Sequence, residues 1–231
     1  MELRRASERG GADYGWLQTQ HTFSFARYYD PHHLGFRSLR VINEDRVVAG
    51  AGFPKHPHRD MEIISYVVDG ELEHKDTLGT GSVIRPGDVQ RMSAGRGIAH
   101  SEYNPSSENG LHFLQIWIQP SEPGGEPGYA QKTFSEVEKR DVLRLVASPD
   151  GAEGSLSIRQ DARVYVSLLS EGASVRHELA PDRGAWIQVV RGEVQVVDEL
   201  LGPGDGAKTE TPGLIELRAR SDAEFLLFDL A

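Results

Sequence analysis

The chain has no cysteine among its 231 residues. A disulfide-held scaffold and thiolate chemistry are therefore excluded, as is a sulfur-built metal site, the three methionines apart. No run of about 18 apolar residues occurs, so no transmembrane helix is expected. The early arginines Arg4 and Arg5 are not followed by an apolar stretch. No secretory leader is expected, and a cytoplasmic location is. Positive charge is also scarce: 25 Lys and Arg stand against 35 Asp and Glu, a net charge of −10, and no basic block stands out. Direct nucleic-acid binding needs a positive face to neutralise phosphates and is not expected; a protein partner stays open. A long amphipathic helix is missing too, although Phe134–Arg140 has room for one short turn or helix.

Strand signals fill the space left by these absences. Short β-branched runs such as Ile63–Val68, Phe113–Ile118, Val164–Leu169 and Trp186–Val190 are punctuated by Gly, Pro and Asp turns. Many short strands with frequent turns predict an all-β sandwich or barrel. The pattern also repeats. Val67-Val68-Asp69-Gly70-Glu71-Leu72 matches Val189-Val190-Arg191-Gly192-Glu193-Val194, and each is followed by Pro-Gly-Asp, at Pro86–Asp88 and Pro203–Asp205. A Pro/Gly-rich joint, Pro120–Gly128, separates the copies. Two tandem β-barrels are expected, spanning residues 1–125 and 126–231.

Histidine is distributed unevenly: eight of the nine precede residue 130. Four residues in two clusters are the most informative, His56-Pro57-His58 and His100-Ser101-Glu102. Each cluster has period two, so on a strand its two ligand-type side chains project from one face. If two strands bring these faces together, three imidazoles and one carboxylate converge. Such a set suits one divalent ion with open positions, whether Fe(II), Mn, Ni, Cu or Zn. Pro57 lacks an N–H and fits an edge strand. The same offsets from the second Gly and Pro-Gly-Asp turns land on Glu178, Ala180, Leu217 and Ala219, so the C-terminal barrel is expected to lack the ligand set.

These residues resemble a family. His-Pro-His-Arg at 56–59, with Glu62 and Gly70 beyond, is similar to the first cupin motif of pirins, and Met92-Ser93-Ala94-Gly95-Arg96-Gly97-Ile98-Ala99-His100-Ser101-Glu102 resembles a pirin hallmark. His21–Phe25 and Gly70–Asp76 add to the likeness. The resemblance implies two cupin (jelly-roll β-barrel) domains with metal in the first alone, held by His56, His58, His100 and Glu102, and Fe(II) as the first expectation. Glu62 is left out of that set and is expected to orient a histidine from behind. The resemblance further implies a quercetin 2,3-dioxygenase-like oxidoreductase. Such an enzyme opens the central ring of a flavonol with O₂ and releases CO, with Glu102 taking the 3-hydroxyl proton. The alternatives it leaves are a metal-binding transcriptional co-regulator acting through a protein partner and a cupin of another reaction, such as an isomerase.

Other residues carry lesser expectations. His74 is expected either to point inward near the metal or to pair with Asp76 at the surface. His112 is expected to be a satisfied buried histidine. Phe53, Met92, Phe113 and Trp117 are expected to form an apolar slot for a planar ligand or else plain core. His32-His33 reads as a loop, and Gly95-Arg96-Gly97 as a tight turn that delivers His100.

Overall fold

A computed structural model describes residues 1–231. Strands dominate the regular structure, and no helix is long and apolar enough to cross a membrane. One short helix, Glu136–Lys139, falls within the expected stretch. Ser135 caps it, accepting from the Glu138 N–H, while the Glu138 carboxylate reaches back to the Ser135 N–H.

Two compact units form. One comprises Gly10–Thr133 with Ile158–Gln160; the other comprises Met1–Arg9, Phe134–Ser157 and Asp161–Ala231. Each has one seven-stranded and one four-stranded sheet, as expected of a cupin jelly roll.

In the first unit the large sheet runs Gly128–Thr133, Asp88–Ser93, Glu62–Asp69, Leu111–Ile118, Leu39–Val47, Leu17–His21, Gly10–Asp13. Its small sheet runs Gly52–His58, Ile98–Tyr103, Leu72–Asp76, Gly81–Ile84. All these pairings are antiparallel. Leu17, Val47, Val67, Leu72, Ile84, Leu111 and Phe113 form a core cluster drawn from both sheets. Gly52–His58 is an edge strand, where the missing N–H of Pro57 removes no ladder bond from a central strand.

In the second unit the large sheet includes Gly184–Arg191 beside Ala223–Leu230, a strand buried at every position. One edge strand is Glu2–Arg4, which pairs with Gly206–Lys208. The chain therefore starts in the unit that its C-terminal half completes. Arg5 fastens this start, its guanidinium meeting Asp205 Oδ2 at 3.0 Å and Glu199 Oε2 at 3.1 Å.

The repeat seen in the sequence has a shared geometry. Asp88 Oδ2 accepts from the Arg85 N–H at 3.0 Å, and Asp205 Oδ2 accepts from the Gly202 N–H at 3.1 Å, so each Pro-Gly-Asp turn is closed by its own aspartate. Gly70 (φ 81°) and Gly192 (φ 69°) occupy the left-handed region. A Cβ at either would meet a carbonyl oxygen, of Gly110 at 2.4 Å or of Asp222 at 2.1 Å. The gapless offset comparison, however, slips. Glu178 pairs with Leu214 rather than Leu217, and Ala180 lies beyond the Ser174–Leu179 strand. Hairpin lengths differ between the copies, and offsets counted along the chain do not preserve cross-strand register.

Candidate metal centre and its pocket

Ile98–Tyr103 alternates strictly: Ile98, His100 and Glu102 are buried, and the residues between them are half-buried. Pairing places His100 opposite His56 and Ile98 opposite His58. Beyond His100 the register shifts, and Glu102 faces Phe53 because Pro54 and Lys55 together oppose Ser101. This bulge bends the edge strand beside the histidines.

The three imidazoles converge through Nε2. His100 Nε2 lies 3.0 Å from His58 Nε2 and 3.1 Å from His56 Nε2. The ring contacts also fix which nitrogens carry protons. His56 Nδ1 stands 2.8 Å from the Pro54 carbonyl oxygen, so it donates there and Nε2 keeps a lone pair. His74 Nε2 donates to Asp76 Oδ2 at 3.0 Å, which leaves His74 Nδ1 to accept from His100 Nδ1–H at 3.3 Å. His100 Nε2 is then a lone pair as well. Two facing lone pairs about 3 Å apart repel unless a positive centre lies between them. Nitrogens bound at about 2.1 Å on adjacent positions of one ion stand about 3.0 Å apart. The donor set therefore fits a divalent cation.

Electrostatics favour the same state. Burial first, and then the charge of His56, push the His58 pKa down to about 4. Burial and the surrounding imidazoles push His100 down to about 2. Both are neutral near pH 7 and ready to ligate without displacing a proton.

Glu102 is almost fully buried. Burial raises its pKa to about 7, against hydrogen bonds from Gln115 and Ser65, and the charge of Asp45 raises it further. Its Oε2 accepts from Gln115 Nε2 at 2.6 Å and its Oε1 from Ser65 Oγ at 3.1 Å. Trp117 Nε1 donates to Gln115 Oε1 at 3.3 Å, which fixes the amide so that its NH₂ faces Glu102. The ligand atoms of His56, His58 and His100 lie within 4.8 Å of one another; those of His74, His100 and Glu102 form a second such trio. Glu102 thus shares His100 with the first trio. Both groups lie in the first unit.

A cavity of ≈ 380 Å³ opens against His56 and His58. Its walls are mainly apolar, with Leu17, Phe25, Phe53 and Trp117 among them; Asn43, Asp45, Lys55 and Gln115 are among the polar side chains that also line it. Trp117 stands edge-on to His58, with ring centroids 5.0 Å apart. The size suits a small aromatic molecule.

Several expectations change in detail. Phe53 and Trp117 line the cavity, but Met92 and Phe113 are core, each 0% exposed and packed in separate apolar clusters. Glu62 orients no histidine: it accepts from Ser93 Oγ at 2.7 Å and lies near Arg91 and Arg159. His74 points inward and is fully buried, so the surface reading fails although the bond to Asp76 is present. His112 is half-buried and paired with Glu44 at 2.9 Å. His32-His33 is loop, with His33 Nδ1 on Asp30 at 2.9 Å. Gly95 turns with φ 48° where a Cβ would meet the Gly125 oxygen at 2.0 Å. Sequence reasoning missed Ser65, Gln115, Asn43 and Asp45. A lone Gln in the apolar run Phe113–Ile118 was an available signal, whereas Asn43-Glu44-Asp45 resembles a turn although it lies within a strand.

The Pirin family model matches residues 2–118, and the model of the quercetinase C-terminal cupin domain matches residues 145–230. The chain is 49% identical to a quercetin 2,3-dioxygenase of Escherichia coli K12 over 99% of its own length and 97% of the relative's. It is 43% identical to a pirin-like protein of Caulobacter vibrioides, covering 96% of each. The E. coli bacterial pirin YhhW, solved in complex with nickel(II), superposes with a TM-score of 0.93 at 48% identity, covering 99% of this chain and 98% of that one. The histidine trio sits on the motifs that the Pirin model spans, and the likeness extends through both barrels: the chain belongs to the pirin family.

Proposed function

We propose that the chain is a metal-dependent dioxygenase of flavonol-type phenolics. One observation carries this reading: the Nε2 atoms of three imidazoles converge on one point about 3 Å apart, and two of these rings form the wall of a mainly apolar cavity of aromatic size. The likeness to a quercetin 2,3-dioxygenase supports it.

His56, His58 and His100 would hold the ion, with Glu102 as fourth ligand, and Fe(II) is the metal proposed. The nickel complex of the relative supports a divalent ion at such a site. When bound, the ion supplies Lewis acidity toward a phenolate and an open position for O₂. The chain's own residues do the rest. Phe25, Phe53 and Trp117 clamp a planar ring and exclude water from the wall beside the histidines. Glu102, balanced near neutrality by burial, accepts the proton of the substrate 3-hydroxyl at a carboxylate oxygen. Ser65 and Gln115 hold that carboxyl in place. In the overall reaction both oxygen atoms of O₂ enter the product, the two C–C bonds flanking the flavonol C3 break, and C3 leaves as CO.

A regulatory protein acting through a partner would not require an apolar slot beside the ion, and the cavity therefore favours the enzyme. The test is anaerobic purification with elemental analysis, then exposure to quercetin and O₂ with both O₂ uptake and CO measured. Equimolar O₂ consumption and CO release are expected. A metal-loaded protein that does neither overturns the reading for this substrate class.

A further inference from the structure

Asp45 is a buried acid that the proposed chemistry does not use. It lies near the end of the Leu39–Val47 strand, opposite Phe113 on one side and Thr19 on the other, and is 3% exposed. The Thr19 side chain hydrogen-bonds its carboxyl, yet Oδ1 is buried with no hydrogen-bond partner. Such an oxygen has lost its hydration without replacement, a standing penalty that a native core rarely tolerates. Asp45 also lines the cavity that reaches His56 and His58. It belongs to neither group of metal-ligand-type side chains. Its charge is nonetheless felt at Glu102, so it stands near the proposed reacting end of the pocket.

Two neighbouring polar side chains of the cavity are already engaged. Asn43 Oδ1 bonds His21 Nδ1 at 2.8 Å, and the Gln115 amide is shared between Trp117 and Glu102. Asp45 is the carboxylate of that lining, and its Oδ1, closed to solvent, has no partner. In a mainly apolar slot, a carboxyl group favours a molecule that brings an O–H donor on a flat hydrophobic body.

We propose that Asp45 is a specificity-determining residue that accepts a hydrogen bond from a ring hydroxyl of the substrate, one other than the hydroxyl directed to the histidine trio. The pocket thereby prefers polyhydroxylated aromatics over their less hydroxylated parents. This rests on the flavonol reading above, but it concerns recognition and is tested by binding. Burial raises the Asp45 pKa to about 7, against its bond from Thr19, so near neutrality the ionised form that accepts is already substantially populated. An apolar pocket with one placed acceptor discriminates by leaving that acceptor unsatisfied when the analogue lacks the hydroxyl.

The test is anaerobic calorimetric titration of the metal-loaded full chain with quercetin and with 3-hydroxyflavone, which keeps only the 3-hydroxyl. The wild type should bind quercetin about 10- to 100-fold more tightly, the range for one bond to a charged group. Asp45→Leu should bind both within about twofold, and Asp45→Asn should fall between. Metal content and the circular dichroism melt are followed in parallel, and if the Leu variant does not fold, the Asn variant decides. An undiminished preference for quercetin in the folded variants overturns the proposal. So does a wild type that shows no preference or binds neither compound. A wild type with the preference, lost in the variants, supports the proposal even if no CO is released, in which case the dioxygenase reading alone fails.

Discussion

His74 stands directly behind His100: their Nδ1 atoms are 3.3 Å apart, and the far nitrogen of His74 is 3.0 Å from Asp76 Oδ2. The chain from carboxylate to imidazole to imidazole fixes the His100 tautomer and its ring orientation. Partners of this kind typically tune metal affinity by about 10- to 100-fold. His74→Phe should lower metal affinity by that order while the thermal melt of the metal-free protein changes little. Competition titration against a metal indicator measures it. Asp76→Asn should act in the same direction more weakly, since its amide oxygen still accepts from His74.

Glu102→Gln separates ligation from proton transfer. The amide oxygen can still accept from Gln115, and Ser65 can turn its hydroxyl to accept from the new NH₂. The variant should retain part of its metal and lose turnover by about 100-fold or more, the scale of a missing general base. Elemental analysis beside O₂ uptake reads the two effects separately.

In the C-terminal unit, His177 is no ligand but a structural partner. Its Nε2 meets Asp229 Oδ2 at 2.9 Å, and Arg183 Nε donates to the same carboxylate. Burial would raise the Asp229 pKa, but the hydrogen bonds from His177 and Arg183 and the charge of Arg183 outweigh it and hold it below the usual value. A depressed folded-state pKa contributes stability above the unfolded value, near 3.9, and that stability is lost as pH falls through the folded value. Asp229→Asn should therefore lower stability by about 2 kcal/mol at pH 7, from the loss of charge-assisted bonds. The difference from wild type should shrink as pH falls from neutral into the strongly acidic range, through the depressed folded-state value. Denaturant melts across that range measure it.

Gly70→Ala and Gly192→Ala should each destabilise their own unit by more than the ~1 kcal/mol of an ordinary αL substitution. Both residues have positive φ, and the added methyl would press on a backbone carbonyl rather than on a side chain that can move. Parallel thermal melts of the two variants check this, and similar losses would confirm that the repeated turn has the same role in both barrels.

Alternation along a strand is a local property, so the clusters His56-Pro57-His58 and His100-Ser101-Glu102 were legible as two pairs of co-facing ligand-type side chains before any contact was known. Turn chemistry is local as well, and for that reason the duplicated Gly and Pro-Gly-Asp elements revealed two barrels. Neighbourhood across strands is not local. Only sheet order and register decided that His56 pairs with His100, and that a bulge moves Glu102 opposite Phe53. They also decided that Glu2–Arg4 completes a sheet about two hundred residues away in sequence. The same holds for Asp45, whose neighbours read as a turn in one dimension. It became a candidate recognition group because burial left its carboxyl oxygen unpaired in a cavity wall that strands distant in sequence combine to build.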